Sequence, residues 1–418
     1  MIKIIKSLKD MSWTIVGLIG LMMLIGGSNF YMSYRLDLLE YSGFSFLHIM
    51  AVYTSAVLQL SIASSAPRII AKSKRYGLAI VDKLVGVSFY ALCVFILIAI
   101  LAKEILINYY GVTYWEYVFY ISFTVLSTVI LNINGILYGI SQIKNGSIQS
   151  VIASTIYLTI LSQGIENGKL EYEFISRGVI VLLVVVVIFN IVKYNFKYCG
   201  ISEIYRFIKS KDSIAYLLPS LIAGVMNGMA LLLIYSAYGR SVSDSFLLGY
   251  AGYIMLLRSV ILFLNTALNK LYFLKFSNEY FQKDSGSMIG DGVMALLVKN
   301  ILSIVLSGCM VFAAYHFFYE EYFSKYSGVQ NTIYALFGLW LVFEVVYLTL
   351  YQKIQVYGLM WESLIAITLP TFVYALIVNR LKIVYSLESL LLVYISIIAF
   401  SILIVMYIAN KKEKELAL

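Results

Sequence analysis

The sequence predicts an all-α polytopic membrane protein: about twelve transmembrane helices in two six-helix lobes. Three observations carry this. The chain of 418 residues is 61% hydrophobic and only 13% charged, with a mean hydropathy of +0.88. Apolar runs of about twenty residues, the length a helix needs to cross a bilayer, recur from end to end. Lys and Arg are distributed unevenly between alternate loops, as membrane insertion demands.

The expected spans lie near 11–31, 43–66, 84–102, 117–138, 148–163, 174–192, 213–236, 246–266, 292–315, 329–351, 355–377 and 387–409. With the N-terminus inside, 21 of the 31 Lys and Arg residues fall in cytoplasmic segments and seven in outer loops, leaving Arg177, Arg258 and Lys299 within spans. This asymmetry predicts a multi-pass protein with both termini cytoplasmic. The first apolar run, Met11 to Tyr31, has no small-residue cleavage site and is long enough to span, so no cleaved signal peptide is expected. The net charge of +9 is accounted for by this topology and calls for no nucleic-acid partner. Cys93, Cys199 and Cys309 are scattered, which argues against a disulfide framework or a thiolate metal site. His48 and His316 are too few for a histidine metal centre.

In chain order, Arg35 and Glu40 sit in a short outer turn after the first span, where a long cation also serves as an ordinary interfacial charge. Pro67 is expected to stop the second span ahead of a basic loop. Spans three to six carry many hydroxyls and the amides Asn132, Asn134 and Gln163. No Asp or Glu falls well inside the first six spans, so this half offers no buried carboxylate for a cationic drug. Arg177 lies about a turn from the outer end of its span, and Glu166, Glu171 and Glu173 form a solvated outer loop. The basic segment Lys193 to Asp212 divides the chain nearly in half. It sets the expected domains: a first lobe over 1–196, a linker over 197–212 and a second lobe over 213–418.

The seventh span opens with Leu218-Pro219 and carries Gly224-Val225-Met226-Asn227-Gly228, a small-residue face for close helix packing. Asn227 is a candidate cavity residue. In the eighth span, from Phe246 to Lys270, Arg258 falls near the middle. An arginine there costs at least about 2.5–3.5 kcal/mol, so it is expected to face water, a counter-ion or a substrate. At 100° per residue, Asn265 and Asn269 share its face. Ligand binding and neutralisation by a buried glutamate both explain it. Lys299, Glu344 and Glu362 occupy comparable depths of the second lobe and suggest a buried cluster. A structural salt bridge and a coupling-ion site both fit. Pro370 is expected to kink the eleventh span.

Three stretches resemble the O-antigen flippases, the Wzx-type polysaccharide transporters of the multidrug/oligosaccharidyl-lipid/polysaccharide (MOP) exporter superfamily. They are Arg35-Leu36 through Tyr41-Ser42-Gly43-Phe44 to Pro67-Arg68-Ile69-Ile70-Ala71; Leu217-Leu218-Pro219-Ser220; and Leu247-Leu248-Gly249-Tyr250 through Arg258 to Ala267-Leu268. The family often has Leu-Pro just after the eighth span, where this chain has Leu274-Lys275. The resemblance implies two six-helix lobes around a central cavity, and a flippase that moves undecaprenyl-diphosphate-linked oligosaccharide, the repeat unit of O-antigen and polysaccharide biosynthesis, across the bacterial inner membrane by alternating access. It implies that Arg258 and Arg35 engage the diphosphate, for which the planar guanidinium fork suits phosphate oxygens. Asn265 and Asn227 complete the expected substrate site, with Lys299, Glu344 and Glu362 as ion-coupling candidates. Membrane lipids and association with a polysaccharide polymerase and chain-length regulator follow as partners. No cofactor is expected, and H+ or Na+ is left as the coupling ion. The chief alternative is a cation-coupled multidrug or small-molecule antiporter of the same superfamily. A membrane-embedded polymerase is the enzymatic alternative. It is disfavoured by outer loops of only about ten to fifteen residues and by the lack of a catalytic motif, so the chain is read as no enzyme.

Overall fold

The computed structural model describes residues 2–60, 62–72, 77–140, 142–166, 168–197, 199–210, 218–242, 244–262, 265, 287–317, 320, 322–356 and 359–417. Helix α1 (Ile2–Met22) passes through a π turn (Met23–Gly27) into α2 (Ser28–Arg35). There follow α3 (Leu38–Leu58), α4 (Ile62–Lys72), α5 (Gly77–Leu101), α6 (Lys103–Tyr110), α7 (Tyr114–Gly139) and α8 (Ile143–Gln163). A two-stranded antiparallel hairpin, β1 (Ile165–Glu166) and β2 (Lys169–Leu170), leads to α9 (Tyr172–Tyr194), α10 (Ile201–Ile208) and α11 (Leu218–Ser241). The chain continues with α12 (Ser245–Ile261), α13 (Ser287–Phe317), α14 (Asn331–Val356), α15 (Met360–Leu381) and α16 (Leu387–Ala417).

Among the described residues, ten helical stretches are long and apolar enough to cross a membrane. The two other expected spans correspond to α8 and α12. At 21 residues α8 has the length, but Ser, Asn, Gln and Thr dilute its hydropathy. Helix α12 has 17 residues. Helix starts follow local capping chemistry. The Asp37 carboxylate accepts from Glu40 N at 2.8 Å at the start of α3. Asp244 does the same for Phe246 N at 2.8 Å in α12. Thr113 and Glu116 form a reciprocal capping box on α7. In the hairpin, the Glu166 carboxyl hydrogen-bonds to and repels that of Glu171, which pushes the Glu171 pKa up.

Two compact units divide the chain, Met1–Leu232 and Leu233–Leu418. In the first, α7 is the central helix: 78% of its membrane window is buried, against 28% for α5. It packs on α3, α4, α5, α8 and α9. Helix α5 instead exposes Val94, Leu97, Ile98 and Ile100, the apolar surface a bilayer covers. In the second unit α14 lies between α13, α15 and α16, and α13 exposes Leu302, Val305, Leu306 and Phe312.

One expected boundary is corrected. Pro67 does not end the second span; it lies inside α4. The break comes earlier, at Leu60, whose φ of 48° is left-handed and therefore cannot continue a helix. Without an N–H on Pro67, the Ala63 carbonyl loses its helical donor. That carbonyl lies where a Cβ on Gly135 of α7 would stand, 2.5 Å away. Only glycine lets α7 approach α4 this closely. Pro370 lies within α15, as expected.

Candidate functional site

The polar chemistry of the second unit centres on α12 and α14. The Arg258 guanidinium grips Glu344 in a fork: Nε donates to Oε2 at 2.8 Å and Nη2 to Oε1. Two parallel charge-assisted bonds of this kind fix both distance and orientation. The side chains keep 35% and 8% of their exposure, so the carboxylate is buried and the guanidinium retains an open side. Arg258 Cζ also stands 5.1 Å from the Trp340 ring centre, within cation–π range. Trp340 stacks on Tyr394 of α16 at 5.1 Å and 16°. Its indole Nε1 is buried with no hydrogen-bond partner. Trp340, Glu344, Tyr347 and Tyr351 recur at four-three-four spacing, which places them on one face of α14. That spacing is legible in the sequence and was the missed signal for this site. A turn further on, Asn300 Nδ2 of α13 donates to Thr349 Oγ1 of α14 at 2.9 Å.

The first unit holds a different polar seam, neutral and rich in hydroxyls. The π turn delivers Ser28, whose hydroxyl donates to the Leu24 carbonyl at 2.7 Å and lies 3.1 Å from His48 Nε2. His48 is fully buried between the rings of Phe44 and Phe123, at 5.3 and 4.6 Å. Around α7, Thr54 meets the Tyr120 hydroxyl at 2.7 Å and Thr128 donates to Ser55 Oγ at 3.1 Å. Asn132 Nδ2 donates to Ser88 Oγ at 2.8 Å, and Asn134 donates to Ser150 Oγ of α8. Each such interhelical bond contributes about 0.6 kcal/mol in a membrane, so the seam positions helices more than it stabilises them.

The expected site residues are placed as follows. Arg35 ends α2 and is exposed, and Asn227 is half-buried in α11. Both belong to the first unit, Arg258 and Asn265 to the second. Asn265 is buried and lies beyond Ile261, where α12 ends. Asn269 lies outside the described residues. Arg258 stands in the last turn of α12 rather than at mid-helix, where the negative end of the helix dipole favours a cation. Arg258 and Glu344 share one level, since their side chains meet. Nor do Lys299, Glu344 and Glu362 form one buried group: Lys299 and Glu362 are exposed, and only Glu344 is buried. Counting residues from span ends sets depth only along straight, parallel helices, and α12 and α14 do not meet in that register.

These features describe a helical membrane protein with an ionic centre in one unit and a neutral polar seam in the other. No protein-family model matches the chain, and no curated protein does. Solved structures match it over nearly its whole length. A multidrug-resistance MATE-family transporter of the MOP superfamily, inward-facing, superposes with a TM-score of 0.61 at 14% identity, covering 95% of this chain and 94% of that one. An outward-facing MATE transporter gives 0.60 at 15% identity, covering 99% and 96%. A MOP-superfamily transporter from Pyrococcus furiosus, described by the reverse polarity of its binding pocket, gives 0.57 at 14%, covering 99% and 96%. The chain thus has the fold of the MATE transporters of the MOP superfamily.

Proposed function

We propose that this protein is a transporter that carries its substrate across the membrane by alternating access, without chemical conversion. The observation that supports this most is the match, over nearly the full length, to transporters in both inward-facing and outward-facing conformations. The same relatives favour an ion-coupled exporter of small molecules as the first reading of the cargo. H+ or Na+ would drive it, and Glu344, a carboxylate buried against Arg258, is the candidate to respond to an ion. We place the chain in the cytoplasmic membrane with both termini inside, as the asymmetry of its basic residues suggests. The lobe division at the 197–212 segment belongs to the same proposal.

A second reading, flipping of an undecaprenyl-diphosphate-linked oligosaccharide, rests on a specific observation. The first unit's buried polar groups are neutral hydroxyls, amides and an imidazole. In the second unit the Arg258 guanidinium keeps 35% of its side-chain exposure while its fork holds Glu344. On this reading a diphosphate takes the place of Glu344 at that fork, whose planar geometry suits phosphate oxygens. On this reading Arg258, Arg35, Asn265 and Asn227 are the substrate contacts.

One pair of assays separates the readings. The gene is expressed in a strain lacking its drug exporters and in a strain lacking its polysaccharide flippase. Export predicts raised tolerance of amphiphilic compounds that collapses with the ion gradient. Flipping predicts restored surface polysaccharide and unchanged drug tolerance. A protein that accumulates in the membrane yet does neither would contradict both cargo readings.

A further inference from the structure

The segment between α9 and α11 contains α10, a two-turn helix with three distinct sides. Ile204 and Phe207 point inward, with 8% and 6% of their surface exposed. They join Cys199 in a core with Leu84 and Val87 of α5 and with Ile69 and Ile70 of α4. Gly86 makes this seat: a Cβ there would stand 2.9 Å from Ile204 Cδ1 and 3.3 Å from Cys199 Cβ. The seat is pinned on both sides. Lys197 N donates to Asp82 Oδ1 at 3.0 Å, the Tyr90 hydroxyl donates to the Cys199 carbonyl at 3.4 Å, and Lys83 Nζ lies 5.7 Å over the Phe207 ring.

The second side is apolar and open. Ile201 and Tyr205, one turn apart, expose 70% and 57% of their surface. At 100° per residue their mean direction lies roughly 110° from that of Ile204 and Phe207. The third side is polar, with Ser202, Glu203 and Arg206 exposed. Lys209 extends along the boundary, its Nζ 4.3 Å over the Tyr205 ring. Lys193 and Lys197 are exposed close by in the chain. Protein on one flank, an open apolar stripe below and a basic polar side above is the pattern of a helix lying in a membrane surface.

From these placements we propose that α10 is a membrane-interface helix that binds anionic phospholipid headgroups. Ile201 and Tyr205 enter the acyl boundary, while Lys197, Arg206 and Lys209 hold the phosphates. The occupant is argued from charge: Lys83, Lys197, Arg206 and Lys209 lie on or against this helix, opposed by Asp82 and Glu203. Basic side chains next to an anionic leaflet each contribute about 1 kcal/mol, about fivefold in lipid preference. The inference is independent of what the protein transports.

The test places an environment-sensitive fluorophore on Ile201→Cys, with Cys93, Cys199 and Cys309 replaced by alanine. The full chain is reconstituted in vesicles of phosphatidylcholine with phosphatidylglycerol, one of the two lipids brominated on its acyl chains. We expect quenching at position 201, stronger from brominated phosphatidylglycerol than from brominated phosphatidylcholine. Lys197→Gln/Arg206→Gln/Lys209→Gln should lower that preference about fivefold or more. A label on Ser202→Cys, on the polar side, should escape quenching in the same vesicles, which shows that the helix is seated as described. An unquenched label at 201 would overturn the membrane placement. Equal quenching by the two lipids, unchanged by the triple variant, would overturn headgroup recognition.

Discussion

Arg258 and Glu344 would each be costly to bury alone, and each makes the other tolerable. Removing one partner of a fully buried pair costs about 3–5 kcal/mol. Arg258 keeps 35% of its side-chain exposure, so Glu344→Gln should fall at or below the low end of that range. Arg258→Met/Glu344→Met removes both charges and should recover most of the loss, read as the thermal midpoint of the purified protein. Transport by this double variant then decides between roles. If Arg258 only neutralises Glu344, the restored protein transports normally; if the pair contacts cargo or a coupling ion, the protein is stable and inactive. Of this site, the sequence made Arg258 and Glu344 conspicuous, because charges within apolar runs stand out. Their pairing was not legible, since 86 residues separate them and helix register is a tertiary property. Trp340 was hidden for another reason: an aromatic in an apolar run carries no mark of its own. Only its spacing from Glu344 and Tyr347 assigns it a face. The neighbourhood of His48 was illegible in the same way, because nothing in Met23–Gly27 announces a π turn.

Helices set by long apolar runs and clear caps are the elements that could be read directly, as for α7 between Thr113 and Gly139. Where elements broke within a run, reading failed: the left-handed Leu60 splits α3 from α4 with no glycine or asparagine to signal it. Helix α10 was concealed inside a segment read only as a basic linker. Its own pattern of Ile201, Ile204, Tyr205, Phe207 and Ile208 was too short to stand against the surrounding charges. The seat of α10 on α5 yields a prediction at this scale. Gly86→Leu cannot be accommodated against Ile204 and Cys199 without lifting α10. Cys199, 7% exposed in the seated helix, should then react several-fold faster with a small maleimide, followed by peptide mass spectrometry. The spans themselves should insert normally, because the overpacking strain of about 1–3 kcal/mol falls on one contact. An unchanged Cys199 rate in a folded Gly86→Leu protein would contradict the packing described.

At the scale of the whole molecule, each of the twelve spans expected from hydropathy overlaps a described helix, ten of them long and apolar enough to cross a membrane, and the fold agrees with transporters of only 14–15% identity. Such agreement without sequence identity is what membrane physics produces. Length, apolarity and small residues at contacts specify the helices and their packing, while cargo chemistry sits on a few side chains. The architecture was therefore legible, and the identity of any ligand was not. The central claim is the alternation itself, and distances between the two units test it most directly. Spin labels on Lys169→Cys and Arg380→Cys, one in each unit and both exposed, allow that distance to be measured by pulsed electron resonance in lipid bilayers. The account predicts two distance populations whose ratio shifts when pH or sodium is changed, and shifts differently in Arg258→Met/Glu344→Met. A single narrow distance, indifferent to ions and to that substitution, would contradict it.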